Sequence, residues 1–360
     1  MKVNFIFFLV IFLLIFIDIC ESEENYFFEF NSPSDTLFSV HWGPKSNELY
    51  FNTIEEGKGA LWKLDIVDKN LSLIGEKNTD YILLDINLTN GTLLVSSYED
   101  SEKIIFLSKE GKILQTLPVK PIDFVAPMFS PDGRWIAHTK KPLELKNRVY
   151  LYDIERNMDY PIKNYILINF IEDWSINNEL LYISYEEKKE GNYSYSVNFN
   201  LYSYDINKKQ SKQITNFTNC QNTDNSIYPS NPKWSPDGEK IVCSITTSKS
   251  NHETLAILDK YGNILRLFEF GSANQSFLRP IWSPDGKKIA FIIAESVEGQ
   301  DYPKYSLALI ELDPSLQSGP RPEKIPEIKL VTFNIYLYGG IAIGMLLLAI
   351  AGFLFIRRKK

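Results

Sequence analysis

The 360-residue sequence predicts an all-β chain of repeated four-stranded units carried on a single C-terminal membrane helix, and three observations predict it. A heptapeptide recurs as Pro127-Met-Phe-Ser-Pro-Asp-Gly133, Pro232-Lys-Trp-Ser-Pro-Asp-Gly238 and Pro280-Ile-Trp-Ser-Pro-Asp-Gly286. Each copy leads into an apolar run rich in β-formers: Trp135-Ile-Ala-His138, Lys240-Ile-Val-Cys-Ser-Ile245 and Lys288-Ile-Ala-Phe-Ile-Ile293. A charge-free stretch of 24 residues, Phe333 to Ile356, precedes Arg357-Arg-Lys-Lys360. A repeat that cannot bury its own apolar face must stack on its neighbours, so the period decides the architecture.

The heptapeptide is a hairpin device. Proline presets φ at the second position of a tight turn, aspartate bonds local backbone, and glycine takes the left-handed conformation that closes the turn. Asp132, Gly133, Asp237, Gly238, Asp285 and Gly286 are therefore structural turn residues, with Phe129, Trp234 and Trp282 as the aromatics that precede them. Degenerate copies fill the gaps: His41-Trp42 to Phe51 and Asp173-Trp174 to Tyr182 keep the aromatic, with Asn in place of Asp-Gly. Asn tolerates the left-handed region, so both turns are expected to survive. The weakest copy is Asp85-Ile-Asn-Leu-Thr-Asn-Gly91.

A second landmark follows each turn, as Leu64-Asp65, Tyr152-Asp153, Tyr204-Asp205, Leu258-Asp259 and Leu312-Asp313, and marks the end of a third strand. The markers Trp42, Asn87, Phe129, Trp174, Trp234 and Trp282 are spaced 45, 42, 45, 60 and 48 residues apart. About 40 to 50 residues is the length of a four-stranded propeller blade, so the expected fold is a six-bladed β-propeller. Tyr26-Phe-Phe-Glu-Phe30 is the expected outer strand of the last blade, with Lys324 to Lys329 as the local alternative.

The pattern Pro-x-Trp-Ser-Pro-Asp-Gly-x-x-Ile-Ala-Phe resembles the TolB-type, WD40-like (PD40) propeller repeat. The resemblance covers roughly residues 26 to 312 and implies six blades. It implies little about function, because such propellers serve as binding platforms, as gating domains of prolyl-oligopeptidase-like enzymes and, in one lyase group, as the enzyme itself.

The two ends are apolar for different reasons. Residues 1–22 fit a secretory signal peptide, with Cys20 and Ser22 as small residues before the cleavage. The propeller is assigned to 23–312, and Pro314, Pro320, Pro322 and Pro326 make 313–332 an extended stalk. Residues 333–356 form a helix of about 36 Å against a hydrocarbon core of about 30 Å. The basic tail 357–360 is then cytoplasmic, which places the propeller outside a cell membrane crossed once.

With the terminal segments set aside, 33 basic and 43 acidic residues leave the ectodomain near −10. No basic stripe interleaves with aromatics, so nucleic acid is a disfavoured partner. Six sequons, at Asn70, Asn87, Asn90, Asn192, Asn216 and Asn274, fit a glycosylated surface. Cys220 and Cys243 are the cysteines left after cleavage; an oxidising compartment would permit a bridge, and a buried Cys243 beside a free Cys220 is the equal alternative.

Chemistry is sparsely signalled. There is no Gly-x-Ser-x-Gly elbow and no room after the propeller for a hydrolase domain. His41, His138 and His252 lie in different blades at no ligand spacing, so no catalytic residue, metal or cofactor is assigned. The longest insertions, Glu186 to Asn200, Thr215 to Asn231 and Glu295 to Tyr305, would share one face and build a rim bearing Tyr193, Tyr195, Tyr228, Tyr302 and Tyr305. Tyrosine gives contact area at low entropy cost, which nominates this rim for a protein or glycan partner. The expected function is a membrane-anchored extracytoplasmic binding or scaffold module without catalysis. Its rivals are an envelope or surface-structure component and a propeller enzyme with an axial site.

Overall fold

Strand pairing divides the molecule into six antiparallel sheets of four strands, each sheet built from consecutive strands. The first holds β1 (Leu37–Trp42), β2 (Glu48–Glu55), β3 (Lys58–Asp65) and β4 (Asn70–Ile74), and the second β5 (Tyr81–Ile86), β6 (Leu93–Ser97), β7 (Ile104–Leu107) and β8 (Ile113–Leu117). The third holds β9 (Val125–Phe129), β10 (Trp135–Lys140), β11 (Arg148–Asp153) and β12 (Met158–Pro161). The fourth holds β13 (Ile171–Trp174), β14 (Glu179–Glu190), β15 (Tyr193–Asp205) and β16 (Gln210–Gln213). The fifth holds β17 (Ile227–Trp234), β18 (Lys240–Thr247), β19 (Ser250–Asp259) and β20 (Ile264–Phe268), and the sixth β21 (Gln275–Trp282), β22 (Lys288–Glu295), β23 (Lys304–Glu311) and β24 (Val331–Ile335). These are the six expected blades. The computed structural model describes residues 37–335 other than 56–57, 76–80, 98–102, 118–124, 141–147, 163–170, 191–192, 218–226, 248–249, 269–273, 300–302 and 313–330.

The second strands explain why the blades stack. Residues 241–245 of β18 are buried without a break, because both faces of the sheet are covered. Ile241, Cys243 and Ile245 turn toward blade 4, where they meet Leu181, Leu201 and Ile214. Val242 turns the other way, into a cluster with Phe277, Trp282, Ile289 and Phe291 of blade 6. Every buried cluster spans two neighbouring blades in this manner, so the core is a ring of interfaces rather than one centre. Each marker Trp is at most 8% exposed and wedges such an interface. The inner strands β1, β5, β9, β13, β17 and β21 touch in ring order, and β1 meets β21.

The ring closes without exchange of strands among the described residues. The expected closing segment, Tyr26 to Phe30, lies outside them, and the outer place in blade 6 is taken by β24, which pairs with β23 from Leu309↔Val331 to Tyr305↔Ile335. Closure is therefore local, as in the alternative at Lys324 to Lys329, but with the strand placed at Val331-Thr-Phe-Asn-Ile335, whose residues favour extended backbone. β24 covers the last two residues of the expected stalk and the first three of the expected span. Among the described residues no helix is long and apolar enough to cross a membrane. Residues 1–36 and 336–360, with the expected signal peptide, most of the expected span and the basic tail, lie outside them.

Candidate functional site

Antiparallel order puts the first-to-second and third-to-fourth turns of every blade on one face, and the second-to-third hairpins and blade-to-blade connections on the other. The turn face is spent on structure. In the heptapeptide, the Ser130 hydroxyl donates to Asp132 Oδ1 at 2.5 Å, that oxygen accepts from the Arg134 N–H at 3.1 Å, and Ser130 Oγ accepts from the Trp135 N–H at 3.0 Å. Ser235 with Asp237 and Ser283 with Asp285 repeat the arrangement, and Gly133, Gly238 and Gly286 close the turns at φ 70, 71 and 70°. The serine is a second anchor that the Pro-Asp-Gly pattern alone does not announce.

The degenerate turns differ from one another. Asn178 takes the left-handed place in blade 4, at φ 60°. Asn47 of blade 1 does not adopt that conformation, and instead donates from Nδ2 to Asp65 Oδ2 at 2.8 Å. Asn87 is buried, donates to the Gly133 carbonyl and accepts from the Thr89 N–H and hydroxyl, so a glycan on this sequon is incompatible with the fold. Asn70, Asn90 and Asn216 are exposed, Asn274 donates to the Ser296 carbonyl, and Asn192 lies outside the described residues.

On the hairpin face, the expected Glu186 to Asn200 loop is a two-stranded ribbon: β14 and β15 pair from Glu179↔Asp205 to Glu190↔Tyr193, with one bulge between Ser184 and Glu186. β14 has 12 residues where β18 and β22 have 8, which carries its tip about 13 Å further out. Tyr193 and Tyr195 lie on β15 at this tip, opposite Glu190 and Lys188. Tyr228, the second residue of β17, is 38% exposed and meets Phe199 edge-on at 5.4 Å; Phe199 in turn meets Tyr185 at 5.2 Å. The ribbon and blade 5 thus share an aromatic contact. Tyr305, the second residue of β23, is half-buried against the cluster joining blades 1 and 6, and burial raises its phenol pKa although Arg279 opposes the shift. Tyr302 and Cys220 lie outside the described residues, while Cys243 is a free thiol in the blade 4–5 core whose pKa burial pushes up to about 12.

The axis holds residues that the sequence did not single out. Near the markers of blades 2 and 4 stands an aspartate: Asp85 two residues before Asn87, and Asp173 directly before Trp174. Asp85 Oδ2 accepts from the Phe129 N–H of blade 3 at 2.7 Å, and Asp173 Oδ2 accepts from the Trp234 N–H of blade 5 at 2.6 Å. Each carboxylate latches its blade to the next one's marker. His41 Nδ1 stands 3.5 Å from Asp85, and Lys233 Nζ stands 3.6 Å from Asp173 while donating to the Glu172 carbonyl. Burial raises the pKa of Asp173 and of Glu172 against the charge of Lys233, and lowers that of Arg279 against the charge of Glu172. Yet Asp173 and Lys233 keep 23% and 31% of their side-chain surface and Arg279 is exposed. These groups stand on the inner strands of blades 4 to 6 and keep contact with water.

His41 and His138 do not converge. His41 faces Asp85, whereas His138 is wholly buried, contacts Asp159 of the outer strand at 2.8 Å and stacks on Tyr150. The side chain of His252 is outside the described set. Among the described residues no group of three or more His, Cys, Asp and Glu is placed to hold a metal ion.

No protein-family model matches the chain, and no curated protein matches it in sequence. Solved structures do. A structure assigned as TolB from Agrobacterium tumefaciens superposes with a TM-score of 0.52 at 17% identity, covering 71% of this chain and 85% of that one. TolB from Acinetobacter baumannii gives 0.42 at 16% identity over 77% of this chain and 65% of that one. An oligogalacturonate lyase in complex with manganese gives 0.39 at 12% identity, over 79% and 64%. At such identities the likeness is one of fold alone, and the fold is the TolB-like six-bladed β-propeller.

Proposed function

We propose that this propeller is a membrane-anchored, extracytoplasmic binding platform that holds a protein or glycan partner on its hairpin face and performs no chemistry on it. The observation that carries the proposal is the β14–β15 ribbon, which outreaches the corresponding hairpins of blades 5 and 6 and keeps an aromatic contact with blade 5 at its base. Glu186, Lys188, Lys189 and Glu190 are exposed, so this end of β14 contributes little to the core and its length is not explained by folding. Its tip carries both signs of charge, Glu186-Glu-Lys-Lys-Glu190, beside Tyr193 and Tyr195, a mixture suited to a polar partner surface. The anchor rests on the sequence: with Phe333 to Ile335 in the sheet, 21 uncharged residues remain from Tyr336 to Ile356. That is about 31 Å of helix, still enough for a core of about 30 Å.

The test is photo-crosslinking on full-length protein in its native membranes, from probes placed at Tyr193, Tyr195 and Tyr228, with Ile113 and Ile264 on the outer strands as controls. A discrete adduct from the three tyrosine positions and none from the controls is expected. Equal labelling from all five positions would sink the reading.

A further inference from the structure

We propose that the hairpin face is turned toward the bilayer and that the β14–β15 ribbon rests in its lipid headgroup layer. The inference rests on the anchor proposed above and deepens that reading, because a partner held on this face then lies at the membrane surface.

Strand direction sets where the chain leaves the ring. β23 follows the second-to-third hairpin of blade 6, whose last pair is Glu295↔Lys304, so it runs from the hairpin face to the turn face. β24 is antiparallel to it and runs back, from Val331 opposite Leu309 to Ile335 opposite Tyr305. The exit therefore lies on the hairpin face, one position short of Lys304. Residues 313–330 join two strand ends on the turn face, so they do not serve as the expected stalk between ring and membrane. The uncharged run Tyr336 to Ile356 begins at the very next residue, with Tyr336 and Tyr338 at its head, and tyrosine favours the membrane–water interface. Its 21 residues match the hydrocarbon core with almost none to spare, so blade 6 meets the bilayer directly at its hairpin end.

The turn face has its own attraction for lipid, because Val67, Ile176 and Tyr261 are exposed hydrophobic tips there. Chain length decides against it. β23 has 8 residues, so the two faces stand about 27 Å apart along it. A chain returning from Ile335 to the turn face would spend about eight extended residues. About 13 uncharged residues would remain, about 20 Å of helix, too short for a core of about 30 Å.

With blade 6 at the surface, the ribbon is the next point of contact, since it reaches about 13 Å beyond the blade 6 hairpin. The headgroup layer is only about 5 to 8 Å deep on each side. Glu186, Lys188, Lys189 and Glu190 are exposed charges, which hydrocarbon rejects. The tip therefore stops in the headgroups and the ring tilts with blade 4 lifted, so the ribbon acts as a strut. Three glutamates and two lysines in Glu186 to Glu190 suit zwitterionic headgroups, which also carry both signs.

The experiment uses the full chain reconstituted in phosphatidylcholine vesicles that carry nitroxide-labelled headgroups. A fluorescent residue is placed singly at Lys188 or Lys189 on the ribbon and at Val67 or Tyr261 on the turn face, all four exposed. Flotation with the vesicles is read first and reports the anchor; quenching by the headgroup nitroxide is read second. The expected result is protein that floats, with fluorescence lost at one or both lysine positions and kept at Val67 and Tyr261. Protein that does not float overturns the anchor and this inference with it. Floating protein whose turn-face probes are quenched, or whose four probes behave alike, overturns this inference and leaves the anchor standing.

Discussion

Gly262 shows how tightly one residue can be specified. It closes the β19–β20 turn at φ 89°, and a Cβ there would lie 2.1 Å from the Ile214 carbonyl oxygen at the edge of blade 4. Gly299 has a similar φ of 80° but nothing within 4 Å. Gly262→Ala therefore adds a backbone collision to conformational strain and should cost about 2 to 4 kcal/mol, whereas Gly299→Ala pays strain alone, about 1 kcal/mol. Urea unfolding separates the two, and equal losses would mean that the 214 segment yields. The roles of Gly133, Gly238 and Gly286 were legible because Pro-Asp-Gly states its turn geometry locally. Asp85 and Asp173 were not, because their partners are N–H groups of the following blade, 44 and 61 residues away. Their one visible signal was an aspartate directly before the strand end in the two poorest copies of the repeat.

At the scale of elements, the third-to-fourth hairpins depend on aspartates held in ionised form. Asp205 is held below the usual carboxylate range by the Lys208 ammonium and then by the Lys208 N–H, and Asp153 chiefly by the Arg156 N–H. At Asp65 and Asp259 burial pushes the other way and is outweighed by hydrogen bonds from their own turns. Carboxylates depressed in the folded state give stability that is present above an unfolded pKa of about 4 and lost as pH falls through the folded values. Glu172 and Asp173 run opposite: their raised values make ionisation costly, and acid relieves that cost. The depressed groups outnumber them, so the melting temperature should hold from pH 7 to about 5 and fall below about 4. Calorimetric scans across that range check this, and a melting temperature still climbing at pH 2 would contradict it. Strand content was legible wherever a blade packs on both sides, because unbroken apolar runs such as Ile241 to Ile245 leave no other choice. The β14–β15 ribbon was mistaken for a loop because Glu186, Lys188, Lys189 and Glu190 face water, so no apolar alternation marks Glu186 to Glu190.

For the molecule as a whole, blade number followed from the repeat, but the manner of closure did not, since any extended apolar segment can fill an outer strand. Blades 1 and 6 each hold four strands of their own, and among the described residues their junction is held by side chains: the cluster of Leu37, Trp42, Ala290 and Leu307, the Trp42 indole on the Ile281 carbonyl at 3.3 Å, and the Ser46 hydroxyl on the Asp285 N–H at 3.0 Å. The other five junctions also have the chain running across them. Native-state hydrogen exchange should therefore find β1 and β23 opening at lower free energy than β10 and β18, and uniform exchange around the ring would refute this. The junction also changes what occupancy means. A molecule that bound across blades 1 and 6 would act as a clasp on a bracelet that has none of its own. With such a molecule in place the ring could not part without first letting it go, so its mechanical strength would rise and fall with occupancy.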